Sequence, residues 1–358
     1  MLRVAAMAGV VLGHWLVTAL VSRASGLHVD SPLRHLPYLW PATWPLQTLG
    51  PFFFAGGFGA AASHGRARRD GVGYRRWLVV RLARLGYAVG LLGAFWLVVL
   101  ATLAAAGVSG DVLTVAATLA VSPLWFLAVY VGLVALTPPL LAAVRRLGAA
   151  AVLVPLPVVG PDDLVRFGPD QAAAFCPAWL TATLRALAVP CAWLVPFLLG
   201  LRWHGRTPRR AVGVAMLGGG LAAAAVLVGL GYPASAVGVT GAAESNLSPP
   251  TLFTVSLATA QLGAFLLARP HLARLAAAPR LAPVLPNATA LTLPVFLWHQ
   301  TALLLVLLVA GGPSAAPGLL GTPDAGWLAA RLVWLPAFAA VLAALCRLSR
   351  GVRGRRLR

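Results

Sequence analysis

Runs of about twenty apolar residues recur along the whole chain, separated by short stretches of arginine, glycine, proline and a few acids. A helix needs about 20 such residues to cross the hydrocarbon core of a bilayer. Ten segments qualify, at roughly 4–22, 43–62, 85–106, 124–144, 147–161, 174–201, 211–231, 250–268, 289–311 and 326–346. The pattern predicts an all-α, polytopic integral membrane helical bundle of about ten transmembrane helices. The fifth segment is short and rich in proline. The first run reaches about Ser22 and is followed by many more of the same kind, so it reads as a retained span and not as a cleaved leader.

Composition agrees with the pattern. The 358 residues are 60% hydrophobic and only 10% charged, with a mean hydropathy of +0.86, a balance that soluble domains do not reach. Charge changes the picture more. Every one of the 28 basic side chains is arginine and the formal net charge is +20, which taken alone would suggest nucleic acid as a partner. With the amino terminus in the cytoplasm, 23 of the 28 arginines fall on the cytoplasmic side: Arg3, the cluster from Arg66 to Arg84, Arg145 and Arg146, Arg202 to Arg210, Arg269 to Arg280, and the tail from Arg347. The opposite side collects Asp30, Asp111, Asp162, Asp163, Asp170, Glu244 and Asp324, leaving Asp70 inside. The positive-inside rule therefore predicts that both termini are cytoplasmic. The basic excess faces anionic membrane lipids, and no nucleic-acid partner is expected.

The longest external loops, at about 23–42, 232–249 and 312–325, are too short for a second domain, so residues 1–358 read as a single transmembrane domain with no appended soluble domain. Cys176, Cys191 and Cys346 have neither metal-ligand spacing nor a disulfide pattern, and no metal site is expected.

The polar residues inside the spans carry the candidate chemistry. Arg3 and His14 are eleven residues apart, which on a helix is three turns plus 20°, so they share a face about 16 Å apart. His14 then lies near mid-bilayer, where an imidazole must face the bundle interior or a wet cavity. There it serves either as a proton-transfer group or as an interhelical hydrogen-bonding residue without chemistry. In RRWLVVRLARLGY, Arg81 and Arg84 share a helix face, with Arg75 and Arg76 one to two turns earlier. Guanidinium forks at a cytoplasmic helix start suit a polyphosphate ligand such as coenzyme A, although topology alone also accounts for arginines there. The glycines of PFFFAGGFG at 51–59 mark a close backbone approach, most simply to another helix.

His299 and Gln300 interrupt the ninth apolar run in FLWHQT. Glu244 and Asn246, in ESNLSPPT, line either an external mouth or a helix-capping loop, and Trp125, in PLWFLAVY, suits an interfacial aromatic belt equally well. His28, His35, His64, His204 and His271 read as solvated residues of loops and span ends. The spans show no paired carboxylates for a cation path, no phosphate loop ending in lysine and no HExxH.

In order along the chain, R-x10-H at Arg3 and His14, PFFFAGGFG with the basic loop and RLAR, PLWFLAVY, ESNLSPPT and VFLWHQTALL together resemble the membrane acyltransferase family three. The resemblance covers essentially the whole length. It implies an integral-membrane O-acyltransferase of the bacterial plasma membrane, moving acetyl or another short acyl group from cytoplasmic acyl-CoA to a hydroxyl of a glycan, a lipid-linked sugar or a small secondary metabolite. It further implies that His14 and Arg3 are essential and that Arg81 and Arg84, with Arg76 nearby, lie on the donor side; His14 is then expected to act as general base on the acceptor hydroxyl, with transfer through an acyl-histidine as the other route. Acyl-CoA is then a donor substrate, and no permanently bound cofactor is implied. Some relatives carry an external esterase-type domain; without one, this chain acts alone, uses a separate extracytoplasmic transferase, or modifies a smaller acceptor. The rival readings are a transporter or flippase using intramembrane histidines, and a non-catalytic membrane sensor.

Overall fold

The computed structural model describes residues 1–169, 176–310 and 316–356, with side chains as far as Arg350. Asp170, placed on the external side by the sequence, lies outside the described residues. The chain opens with helix α1 (Leu2–Val17), a β-hairpin of β1 (Ala19–Arg23) and β2 (Gly26–Asp30), and two short helices, α2 (Pro32–His35) and α3 (Trp40–Leu46). Then come α4 (Leu49–Arg69), α5 (Tyr74–Ala105), α6 (Gly110–Val121), α7 (Leu124–Ala135), α8 (Thr137–Leu147) and α9 (Leu156–Phe167), with a 3-10 segment, Gly148–Leu153, between the last two. The remaining helices are α10 (Ala178–Trp203), α11 (Arg210–Gly229), α12 (Leu252–Ala277), α13 (Leu285–Ala310) and α14 (Ala325–Arg356).

Among the described residues, eight helical stretches are long and apolar enough to cross a membrane. Two of them, Gly110–Ala135 and Thr137–Phe167, are composite. The fourth predicted span, 124–144, is corrected here. The helical run begins fourteen residues earlier, at Gly110, bends at Ser122–Pro123 and stops at Leu136. Pro138 and Pro139 then start a separate helix, because proline is accommodated in a first turn whose N–H groups have no intrahelical partner. The apolar run VLTVAATLAV, read as loop, supplies the missing half of the span. The first span also ends sooner than expected, at Val17, where the chain turns into β1.

This hairpin is the one sheet among the described residues and a small departure from an all-α fold. Gly26, at φ +109°, opens β2 in a conformation a side chain disfavours. The N–H of Leu27 donates to Asp111 Oδ2 at 2.6 Å, fastening the hairpin to the start of α6. Asp30 is buried at the far end of β2, accepting from Arg23, His35 and its neighbour Ser31. Burial pushes its carboxyl up, and the bonds from His35 and the Ser31 N–H outweigh this and hold it below the ordinary carboxylate range. His35, expected to be solvated, instead places Nε2 3.1 Å from Asp30 Oδ2.

The core lies between α1, α4, α7, α10 and α13. Helix α13 is buried on every side from Phe296 to Leu304. Around it, α4 crosses α10 where glycines let the backbones meet: a Cβ on Gly57 would collide with the carbonyl of Phe197, and one on Gly200 with that of Phe54. Tyr74 Oη donates to the carbonyl of Ala135 at 2.5 Å, bringing the end of α7 to the start of α5 and its arginines. One end of the bundle is thus arginine-rich and the hairpin occupies the other.

Candidate functional site

His14 reaches the interior because α1 packs against α13. Its Nδ1 lies 3.2 Å from Nε2 of Gln300, and its ring centroid is 5.0 Å from that of His299. His299 and Gln300 are fully buried. The ring N–H at Nδ1 of His299 donates to the Phe296 carbonyl at 2.6 Å, which leaves Nε2 as a lone pair without a hydrogen-bond partner among the described residues. Two indoles fix this part of α13. Trp15 Nε1 donates to the His299 carbonyl at 3.0 Å, and Trp96 Nε1, from α5, donates to Thr301 Oγ1 at 2.9 Å.

Two cavities approach this cluster from opposite ends. On the hairpin side, about 230 Å³ is lined by His14, Thr18, Asp30, Gln47 and Thr48, together with apolar residues. On the arginine-rich side, about 220 Å³ is lined by Arg3, Arg81, Arg84, Tyr130 and the rings of Phe52, Phe126 and Phe296. Those three rings pack as a layer, with Phe126 5.1 Å from Phe52 and 5.2 Å from Phe296. Phe296 is in turn 6.0 Å from the ring of His299. The aromatic layer therefore stands between the guanidinium-lined cavity and the imidazole pair.

Arg3, Arg81 and Arg84 come together in that second cavity although Arg3 is about eighty residues distant in sequence. Arg3 lies over the Phe52 ring at 5.6 Å. Arg81 is held by Ser63 Oγ at 2.8 Å and Tyr130 Oη at 3.1 Å, with its guanidinium 5.7 Å from the centroid of Trp77. Arg76 does not join them; it is exposed, near the start of α5. Ser63 and Tyr130 carry no charge and leave no local signal in the sequence; only the packing of α4 and α7 around Arg81 brings them together. His64, expected to be solvated, is buried beside Trp77, ring centroids 5.2 Å apart.

The remaining candidates lie elsewhere. Trp125 is exposed on α7, its ring 6.2 Å from that of Phe126. Glu244 Oε2 accepts two bonds from Arg166, at 2.9 and 2.7 Å. Asn246 is buried, donating to the carbonyls of Pro233 and Ser235 and accepting from Thr251 Oγ1. Both hold the loop before α12. Asp162 and Asp163, assigned to an external loop, instead lie in α9 and are fully buried. Asp163 Oδ2 accepts from Tyr232 Oη and the N–H of Leu252, while Asp162 lies 3.7 Å from the buried Arg166. The expected lack of paired carboxylates within the helices is thereby corrected. The PDDLVRF segment hid the pair because it reads as the end of a span.

The family model described as an acyltransferase domain matches residues 1–348. The chain belongs to this family, acyltransferase family 3, and is a multi-pass membrane acyltransferase. No curated protein and no solved structure matches it.

Proposed function

We propose that the protein transfers an acetyl or other short acyl group from cytoplasmic acyl-CoA to a hydroxyl acceptor, with His14 as general base. The observation that carries this is the placement of His14 on one cavity and of Arg3, Arg81 and Arg84 on another, with an aromatic layer between. A donor with several phosphates and a thin acyl-bearing arm matches the second cavity, where guanidinium groups bind phosphate oxygens by paired N–H bonds. The acyl end of that arm passes Phe52, Phe126 and Phe296 to reach His14. The acceptor enters from the hairpin side, and its hydroxyl oxygen attacks the thioester carbonyl as His14 removes the proton. Collapse of the tetrahedral intermediate breaks the C–S bond, CoA leaves as the thiol after taking up the proton, and the ester is formed. Direct transfer needs no covalent enzyme intermediate; attack by His14 itself through an acyl-histidine is the alternative route.

The setting is a bacterial plasma membrane with both termini in the cytoplasm, and the acceptor class is a glycan, a lipid-linked sugar or a small metabolite. A separate extracytoplasmic transferase is a candidate partner for delivery to a polymer. The test is release of CoA thiol from acetyl-CoA by the purified protein in nanodiscs, supplied with a bacterial envelope extract as acceptor. Acceptor-dependent release that disappears in His14→Ala is expected. No release from a properly inserted wild type, with extract present, would overturn the reading and favour a carrier or sensor.

A further inference from the structure

We infer that Gln300 is a positioning residue that fixes the tautomer of His14, with its amide oxygen accepting a hydrogen bond from Nδ1–H so that Nε2 is left as the free base. The inference rests on the acyl-transfer reading for its consequence, but the hydrogen bond itself is a separate claim. A neutral imidazole has one N–H and one lone pair, and whichever partner holds one nitrogen decides the state of the other. Nε2 of Gln300 is placed 3.2 Å from Nδ1 of His14, and Oε1 is buried with no partner among the described residues. The two ends of a carboxamide exchange by a half-turn of the terminal torsion, so this separation accommodates either the oxygen or the NH2 group.

The two orientations have opposite chemical consequences. With NH2 toward Nδ1, the imidazole carries its proton on Nε2 and that nitrogen can only donate. With the oxygen toward Nδ1, the proton sits on Nδ1 and the Nε2 lone pair is available to a hydroxyl in the hairpin-side cavity, which His14 lines. Only the second orientation makes His14 a base there.

Three features of the surroundings support a positioning role. Gln300 is buried between His299 and Thr301 in the enclosed part of α13, where a polar amide is costly unless it bonds a partner. Its two neighbours are each held by an indole, the His299 carbonyl by Trp15 and the Thr301 hydroxyl by Trp96, so α13 is tied to α1 and α5 one residue before and one after it. Trp15 is also the residue next to His14, so the same contact places the ring that Gln300 must meet. An amide carbonyl fixes a tautomer as an aspartate does in a hydrolase triad, without placing a charge in a low-dielectric interior.

The experiment is solid-state NMR on protein labelled with 15N-histidine in nanodiscs, at a pH where imidazole is neutral. The His14 signals are those lost in His14→Ala. Wild type should show Nδ1–H at His14, and Gln300→Met, which keeps the length of the side chain but offers no comparable acceptor, should move the proton to Nε2. In turnover, Gln300→Met should lower kcat by on the order of 100-fold or more, the scale of a lost general base, with KM for acetyl-CoA unchanged. An Nε2–H tautomer in the wild type, an Nδ1–H signal that survives Gln300→Met, or an unchanged kcat would each overturn the assignment. The wild-type spectrum decides the matter even if the variant does not fold. A wild type that shows the Nδ1–H tautomer but transfers no acyl group would sink the proposed function while leaving the Gln300 bond in place.

Discussion

Trp15 on α1 donates its indole N–H to the backbone carbonyl of His299 on α13 at 3.0 Å. The residue before the indole is His14 and the residue after the carbonyl is Gln300, so one hydrogen bond registers both halves of the cluster. Trp15→Phe keeps an aromatic ring in the site and removes the donor. Interhelical hydrogen bonds in membranes average about 0.6 kcal/mol and reach about 1.7. The variant should therefore insert and fold, melt slightly lower in detergent, and lose activity out of proportion to that change. A variant with wild-type turnover would show that the register does not depend on this bond.

His14→Ala should remove acyl transfer while leaving the protein in the membrane, because the topology of the chain is set by its loop arginines. The loss should be of the size of general-base catalysis, about 10² to 10⁴-fold. His14→Gln should fail equally, since an amide hydrogen-bonds but does not accept the proton. Turnover by either variant within a few-fold of wild type would remove His14 from the chemistry.

The arginine-lined cavity makes separable claims about charge and geometry. Arg84→Lys preserves the topology charge but loses the planar fork, so the variant should insert normally and bind acetyl-CoA on the order of tenfold more weakly, as for one lost charge-assisted bond. Arg81 differs, because Ser63 and Tyr130 already hold two of its nitrogens. Tyr130→Phe leaves the charge untouched and frees one side of the guanidinium. A several-fold rise in KM for acetyl-CoA with little change in kcat is expected. Equal donor affinity in Arg84→Lys, Arg81→Lys and Tyr130→Phe, measured by titration in nanodiscs, would leave the cavity without a donor role.

How far the sequence reached depends on the kind of signal each feature leaves. Arg3 and His14 were legible because both lie on one helix, where spacing alone determines their shared face. His299 stood out because an ionisable ring in an apolar run is costly. Their meeting was not legible, since nothing local in either segment encodes that α1 packs on α13. The same limit hid Ser63 and Tyr130, ordinary residues whose significance comes only from the guanidinium between them. The fourth span was misplaced for a different reason: proline at 123 resembles a helix start, and at that position the helix bends and continues. Asp162 and Asp163 were assigned to solvent because acids normally mark a loop, whereas here Tyr232, the Leu252 N–H and the nearby Arg166 accompany them inside.

The glycine motif at 51–59 gives a test of packing with its control on the same helix. At Gly57 an added Cβ would meet the carbonyl of Phe197 and approach the N–H of Leu201, both backbone groups of α10 that no rotamer change can move aside. Gly200 makes the reciprocal approach to Phe54 and Phe58. Gly57→Ala must therefore push α4 and α10 apart, which also shifts Phe52 and Phe53 and the aromatic layer packed on them. Overpacking of this kind costs about 1–3 kcal/mol. At Gly59, two residues on, nothing lies within 4 Å of the same added atom, and alanine there gains helix propensity of up to about 1 kcal/mol over glycine. Melting of the two variants in the same detergent should separate them, Gly57→Ala falling below wild type and Gly59→Ala matching or exceeding it. Equal melting temperatures would mean that α4 and α10 do not cross at these glycines.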